Sequence, residues 1–466
     1  MNRPASVGPL DVSATIVAIA TASGRGALAI VRLSGPDAHG MTKAAVDRWP
    51  SQPRVATLSP IRDAAGEELD QAIVIRYDAP ASFTGEDAVE IITHGGPVVS
   101  TTVVAALVAR GARLALPGEF TRRAVLNGKL DILQAEATGD LVAATSRAAQ
   151  HVALRQLDGG LSRRILSLRE QLIGLEALIA YDIDFPEEDD GPIAPARIEE
   201  ATDRLIRAIS SLLATARAGQ LVREGALVVL AGAPNVGKSS LFNALLGESR
   251  AIVTEIPGTT RDAIEAVVDT PTVPLRFVDT AGLRDAVDPV ERLGVQVSSS
   301  YVARAAVVLA CVDGSETFEA LRAALTAAPS AAPRILVRTK SDLTVPTAAE
   351  LEAQREHLNA IEAHAVSAES GSGLDALIEA IVRTVTQGEA VEQDAPILTH
   401  ERHRFAVSRA LEEVESFRDR WKLGDVPAPV AAVHLRAAVQ SLEDLVGAVD
   451  VEQILDEVFR RFCVGK

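Results

Sequence analysis

The stretch that decides the fold runs from Ala226 to Gly247, ALVVLA-GAPNVGKS-SLFNALLG, with GAPNVGKS occupying Gly232 to Ser239. ALVVLA reads as a buried parallel strand, and the residues from Ser239 onward open a helix. Between them, a GxxxxGKS loop wraps backbone N–H groups around phosphates while the helix N-terminus adds its positive end. Lys238 is placed to reach the outer phosphates and Ser239 to bind Mg2+. A strand, the full motif and a helix in that order leave little room for an ordinary glycine turn.

The elements that follow each answer a demand of one nucleotide. TEIPGTTRD, Thr254 to Asp262, is a polar segment suited to cover the last phosphate, with Thr260 as a second Mg2+ ligand. A strand around Arg276 to Val278 ends in DTAG, Asp279 to Gly282, where Asp279 can hold a water of the metal and Gly282 can offer an N–H to the γ-phosphate. Strands at Ala306–Val312 and Ile335–Val337 lead to TKSD, Thr339 to Asp342. Asp342 can accept both ring N–H donors of guanine, a pair adenine does not offer, and VSA, Val366 to Ala368, matches the loop whose backbone reads the guanine oxygen. The expected GTP-contacting set is Asn235, Val236, Gly237, Lys238, Ser239, Ser240, Thr254, Glu255, Ile256, Pro257, Gly258, Thr259, Thr260, Asp279, Thr280, Ala281, Gly282, Thr339, Lys340, Ser341, Asp342, Ser367 and Ala368. Thr339 stands where such motifs usually carry Asn, which bears on the rigidity of the base pocket. Leu283 stands where many small GTPases carry a water-orienting Gln, so water must be held from elsewhere. Asn235 offers an oxygen to a monovalent cation beside the β- and γ-phosphates. Glu291, in LRDAVDPVERLG, reads on spacing alone as a solvated helix residue, although its carboxylate could orient water.

Beyond this segment the chain resembles the MnmE (TrmE) family of tRNA-modification GTPases. The blocks that carry the resemblance are TIVAIATASGRGALAIVRLSG (Thr15 to Gly35), SFTGEDAVEIITHGG (Ser82 to Gly96), LPGEFTRRAVLNGKLDILQAEA (Leu116 to Ala137), DIDFPEEDD (Asp182 to Asp190) and the last five residues, FCVGK (Phe462 to Lys466). They span essentially the whole chain, in order. The resemblance implies K+ ligation by Asn235, the Thr259 side chain and the backbone oxygens of Thr254 and Ile256, pairing of G domains around that cation, and a water-orienting role for Glu291. Arg261 and Arg284 would assist the switches. It further implies a one-carbon donor, 5-formyl- or 5,10-methylene-tetrahydrofolate, contacted by Arg32, Glu90, Lys129 and Lys466. Cys463 would be a functional thiol at the modification site; by itself, a Cys after Phe reads as a small apolar filler. Arg32 and Glu90, both on strand-like segments, read without the family as a surface salt bridge. The implied assembly is a homodimer working on tRNA with the flavoprotein MnmG, which brings FAD and NADH. Together they would add an aminomethyl-type group (carboxymethylaminomethyl) to carbon 5 of the wobble uridine.

The expected architecture is an α+β N-terminal folate-binding-like domain (residues 1–118), an α-helical domain in two parts (119–221 and 389–466), and an α/β P-loop GTPase domain of Ras-like type inserted between them (222–388). In the first domain, IVAIAT, ALAIVRLS and DAVEIITH are strand candidates and VSTTVVAALVARG a helix. In the helical part Ile165, Leu168, Leu172, Leu175 and Ile179 form one apolar face, and PEEDDGPIAP (Pro186 to Pro195) an acidic loop. Helices are expected again at Thr399–Trp421 and Ala428–Phe462.

Composition sets bounds. The 466 residues suit about three domains. No apolar run nears the roughly 20 residues of a membrane span, the N-terminus lacks a signal peptide's apolar core, and two cysteines fit a reducing, cytoplasmic setting. A net charge of −17 is awkward for a protein that grips a polyanion alone. Basic residues cluster at Arg122, Arg123 and Lys129 and at Arg402, His403 and Arg404, either as solvated faces or as RNA footing. Much of the RNA grip is therefore expected from the partner. The competing class is an Era- or Der-like GTPase switch on RNA or in ribosome assembly, with no modification chemistry of its own.

Overall fold

The computed structural model describes residues 13–184, 195–248, 264–279, 301–327, 331–389, 392–423, 428–447, 462 and 465. The chain divides into two compact units, Met1–Gly139 with Glu443–Lys466, and Asp140–Leu442.

The first unit is built on a six-stranded sheet. Its strands are β1 (Ile16–Ile19), β2 (Leu28–Ser34), β3 (Thr57–Arg62), β4 (Glu68–Tyr77), β5 (Ala88–His94) and β6 (Arg113–Leu114), in spatial order β3-β4-β5-β2-β1-β6. Neighbours are antiparallel except β1 and β6. Period-two alternation splits the side chains between two faces. Val31 and Leu33 of β2 join Val89 and Ile91 of β5 in a core closed by Val103 and Leu107 of the helix Pro97–Val108. Arg32 and Glu90, opposite each other in register, go to the other face. The strand expectations for β1, β2 and β5 and the following helix agree with this sheet. β3, β4 and β6 carried no clear reading, and β3 holds Pro60, which is tolerated because β3 is an edge strand.

The second unit contains the nucleotide-binding sheet: β7 (Ala226–Ala231), β8 (Ile264–Val268), β9 (Leu275–Asp279), β10 (Val307–Val312), β11 (Arg334–Arg338) and β12 (Glu362–Ala365), in order β12-β11-β10-β7-β9-β8. All neighbours are parallel except β8, which runs against β9. Helices cover both faces, so the central strand β10 is buried at every position, and Cys311 lies there as an apolar filler.

In the same unit the helix Pro195–Ala214 packs against both Gly160–Asp184 and Glu401–Leu423. Ile165, Leu168, Leu172, Leu175 and Ile179 are all buried, as one apolar face requires. Pro195 opens its helix where its missing N–H costs nothing; the rest of the acidic loop lies outside the described residues. The helix Pro195–Ala214 precedes the nucleotide-binding sheet and Glu401–Leu423 follows it, yet they pack directly on each other. The last helix is described over Ala428–Val446.

The two basic clusters divide between buried and exposed residues. Arg123 is fully buried, bonded to Glu86 and Glu119, and Lys129 donates to the Pro80 carbonyl at 3.1 Å. His403 is fully buried and Arg404 is paired with Glu401. Burial withdraws Arg123 and His403 from the surface, whereas Lys129 and Arg404 stay exposed. No helix among the described residues is long and apolar enough to cross a membrane.

Candidate functional site

The phosphate loop leaves β7 at Gly232, where a Cβ would stand 2.4 Å from the Cys311 carbonyl oxygen, so only glycine lets the loop start this close to β10. Val236 is buried beneath the loop and Asn235 adopts φ +63°. Lys238 opens the helix Lys238–Glu248, and its ammonium spans the loop mouth to the carbonyls of Gly232 (3.0 Å) and Ala233 (2.8 Å). Ser239 and Ser240 follow in the first turn, exposed. This is the spacing a bound triphosphate needs: N–H groups, one cation and a hydroxyl at one helix start.

The TKSD segment leaves β11 and reaches back to this loop. Thr339 is buried, and its hydroxyl lies 2.5 Å from the Val236 carbonyl and 3.1 Å from that of Val312. One hydroxyl has one proton, so the shorter contact takes it. Thr339 thus ties the TKSD segment to the phosphate loop. Lys340 donates to the Asn235 carbonyl at 2.8 Å and pairs with Asp313 at 2.7 Å. Burial pushes the Asp313 carboxyl up, but hydrogen bonds from Lys340 and Thr317 outweigh it and hold the group below its ordinary value. Asp342 is exposed, with one oxygen held at 2.6 Å by the hydroxyl of buried Ser367. That bond aims the carboxylate and leaves acceptor capacity for two N–H donors. The Ser341 N–H binds the Val366 carbonyl at 3.1 Å, joining the two loops expected to read guanine, and Ala368 is half-buried beside Ser367.

Several expected residues lie outside the described set: Thr254, Glu255, Ile256, Pro257, Gly258, Thr259, Thr260, Arg261, Thr280, Ala281, Gly282, Arg284, Glu291, Cys463 and Lys466. Asp279 ends β9, next to β7, with its side chain also outside that set.

A second site lies on the sheet face of the first unit. Here a cavity of about 150 Å³ is lined by Arg32, Ser34, Tyr77, Phe83, Thr84, Ala88, Glu90 and Phe120. Arg32 forks onto one oxygen of Glu90 (3.0 and 2.7 Å), and Tyr77 donates to the other at 3.0 Å. The Arg32 guanidinium lies 5.7 Å from the Phe83 ring centre and 5.8 Å from that of Phe120. Burial, then the Glu90 charge, pushes the Tyr77 hydroxyl above its ordinary pKa, so it stays a donor. The salt-bridge reading of Arg32 and Glu90 is therefore correct, and the pair also walls a cavity that offers a cation, a carboxylate and aromatic faces. Such a mixture fits a flat, hydrogen-bonding heterocycle.

Lys129 is not among the lining residues. It packs against Gly85 and donates to Pro80, bracing the loop that carries Phe83 and Thr84. Asn127 helps through its bond to the Thr84 carbonyl at 2.7 Å. Beneath the cavity, Ser34 binds Thr84 and Glu86, and Glu86 meets Arg123. Sequence reasoning missed Tyr77, Phe83 and Phe120. With 3% aromatic residues in the chain, the Phe inside SFTGED and the Phe inside LPGEF were the available signal.

Two residues of the FCVGK tail, Phe462 and Gly465, lie against the same unit. Phe462 lies against Gly139, and buried Gly465 lies against the Ile19 carbonyl at the end of β1, one residue past the Ala18–Arg32 pairing.

The chain matches a family model described as the GTP-binding protein TrmE N-terminus over residues 15–129 and another described as the MnmE helical domain over residues 132–463. Proteins named tRNA modification GTPase MnmE align with nearly all of it. That of Neisseria meningitidis serogroup C (strain 053442) is 44% identical over 453 residues, covering 97% of this chain and 99% of its own. The protein from Aquifex aeolicus (strain VF5) is 42% identical over 454 residues, with the same shares covered. A solved G domain of the T. maritima FeoB iron transporter aligns with 34% of this chain and 98% of its own at 26% identity, with a TM-score of 0.27 that carries no structural weight.

Proposed function

The chain belongs to the MnmE family of tRNA modification GTPases, and from that membership we propose a cytoplasmic, potassium-dependent GTPase that modifies the tRNA wobble uridine from a tetrahydrofolate one-carbon unit. It binds GTP and hydrolyses it in the service of tRNA modification. The observation that supports the fuller reading is that one chain carries both a carboxylate suited to guanine, Asp342 aimed by Ser367, and the Arg32–Glu90–Tyr77 cavity. An Era- or Der-like switch would need the first and has no use for the second.

In this reading the phosphate loop and Lys238 neutralise and orient the phosphates, while Ser239 and Thr260 would hold Mg2+. Asn235, with Thr254, Ile256 and Thr259, would hold K+, whose charge would offset that developing on the phosphates during hydrolysis. Glu291 would orient the attacking water. Pairing of G domains in a homodimer would complete each site. In the first unit, Glu90 would accept from ring N–H groups of the folate and Arg32 would meet its carbonyl or carboxylate oxygen. Lys129 would act through the loop it braces, and Lys466 from the tail. The folate supplies the one-carbon unit when bound. Cys463 would serve the uridine as nucleophile or proton donor, and MnmG would contribute FAD and NADH. Hydrolysis would drive domain association and release through the helices that flank the inserted sheet.

The test is GTP turnover in potassium against sodium at matched ionic strength, with dimerisation followed in the presence of a phosphate transition-state mimic. Strong potassium stimulation coupled to pairing is expected. Equal rates in both salts would remove the cation role from Asn235 and return weight to the RNA-switch reading.

A further inference from the structure

We propose that Asp313 is a positioning residue for the phosphate loop: it holds Lys340 so that the lysine ammonium fixes the Asn235 carbonyl, and with it the part of the loop that faces the cation. The inference rests on the reading of Asn235 as a K+ ligand. It also adds a residue that neither nucleotide motif contains.

Asp313 directly follows β10, and each of its oxygens is engaged. Oδ1 accepts from the Thr317 hydroxyl at 3.0 Å, and Oδ2 lies 2.7 Å from the Lys340 ammonium. The Thr317 oxygen in turn accepts from the N–H groups of Asp313 (3.2 Å) and Gly314 (3.1 Å). The carboxylate is therefore locked to the turn that starts the helix Ser315–Ala327 before it meets the lysine. Lysine is a point charge on a flexible stem with three donors and finds no geometry of its own. The pairing with Asp313 supplies it and leaves the ammonium 2.8 Å from the Asn235 carbonyl.

What Lys340 holds is a left-handed turn. Asn235 has φ +63°, in a region that Asn enters more readily than other residues with a Cβ, and the bond to its carbonyl favours that conformation over the ordinary right-handed one. The next carbonyl, that of Val236, is held by Thr339. Two consecutive loop carbonyls are thus gripped by two consecutive residues of TKSD, and Asp313 anchors one of the two grips. Loosening that grip widens the range of Asn235 conformations, and the cost falls on cation binding.

The experiment uses the full-length protein and the variants Asp313→Asn and Asp313→Glu. The readouts are the potassium concentration for half-maximal GTP turnover, turnover at saturating potassium, and the melting temperature. Exchanging a charge-assisted bond for a neutral one should raise the half-activating potassium concentration about fivefold while saturating turnover stays within about twofold. Melting should barely move, and Asp313→Glu, which keeps the charge, should recover part of the shift. A potassium-stimulated wild type with an unshifted Asp313→Asn overturns the proposal, as does an equal shift in the Glu variant. Thr317→Val provides the structural control: it loosens the turn but leaves the ion pair. It should lower melting and raise the potassium constant by less than Asp313→Asn does, and a shift as large as that of Asp313→Asn would reduce Asp313 to a fold-holding role. If the wild type turns over equally in sodium, the cation reading has failed. Release of a fluorescent GDP then decides: faster release from Asp313→Asn keeps the loop-positioning role, and unchanged release ends it.

Discussion

Gly465→Ala tests whether docking of the FCVGK tail on the N-terminal sheet matters for modification. A Cβ at position 465 would stand 2.3 Å from the Ile19 carbonyl oxygen and 3.0 Å from the Ala20 Cα, where real Cβ atoms essentially never come closer than 3.0 Å. Both neighbours are backbone at the end of a central strand, so they cannot rotate away. The φ of +99° adds a second penalty, because side chains other than glycine's rarely adopt it. Overpacking costs about 1–3 kcal/mol and the left-handed backbone about 1 kcal/mol more. The sum of about 2–4 kcal/mol lowers the docked-to-undocked ratio roughly 30- to 700-fold. The assay is thiol labelling at Cys463, read against Cys311, the other of the two cysteines, which is buried. Labelling should accelerate at least about tenfold on that arithmetic, tRNA modification should fall with it, and GTP turnover should stay near wild type. Wild-type labelling and modification in Gly465→Ala would refute the docking argument.

Glu90→Gln removes the charge that holds Arg32 and Tyr77 and should weaken binding of 5-formyl-tetrahydrofolate by about tenfold or more, read by fluorescence titration; unchanged binding would place the folate elsewhere. Thr339→Val deletes the hydroxyl on the Val236 carbonyl and should speed GDP release several-fold, whereas Thr339→Asn, which restores an amide donor, should not. Asp140 supplies a pH test. Burial pushes its carboxyl up, but His400 and Arg223 outweigh that and hold it below its ordinary value of 3.8. A depressed carboxylate stabilises the fold above its unfolded pKa, and that contribution is lost as pH falls through the folded value. Asp140→Asn should therefore melt earlier than wild type at pH 7, with the gap closing in acid below about pH 4; a gap independent of pH would mean the charge is not what Asp140 contributes.

The sequence by itself located the phosphate loop and the TKSD segment, because their parts are local. A strand, a glycine loop and a helix start are contiguous from Ala226 to Glu248, and TKSD sits at a strand end that an apolar run announces; VSA follows β12, whose EAHA has no apolar run to announce it. The helical face from Ile165 to Ile179 was equally legible, since helical periodicity lies within one segment. The edge strand with Pro60 and the two-residue β6 escaped, because neither has a pattern apart from the partner it pairs with. Only the tertiary structure decided the rest. Register brought Arg32 opposite Glu90 across 58 residues, and the aromatic walls Tyr77, Phe83 and Phe120 come from three further places in the chain. Arg123 and His403, one residue of each basic cluster, proved buried, since charge in a sequence carries no information about which neighbours enclose it. Asp313 acquired its role through a lysine 27 residues away. Non-local contacts of this kind are set by chain closure and packing, which no window of sequence contains.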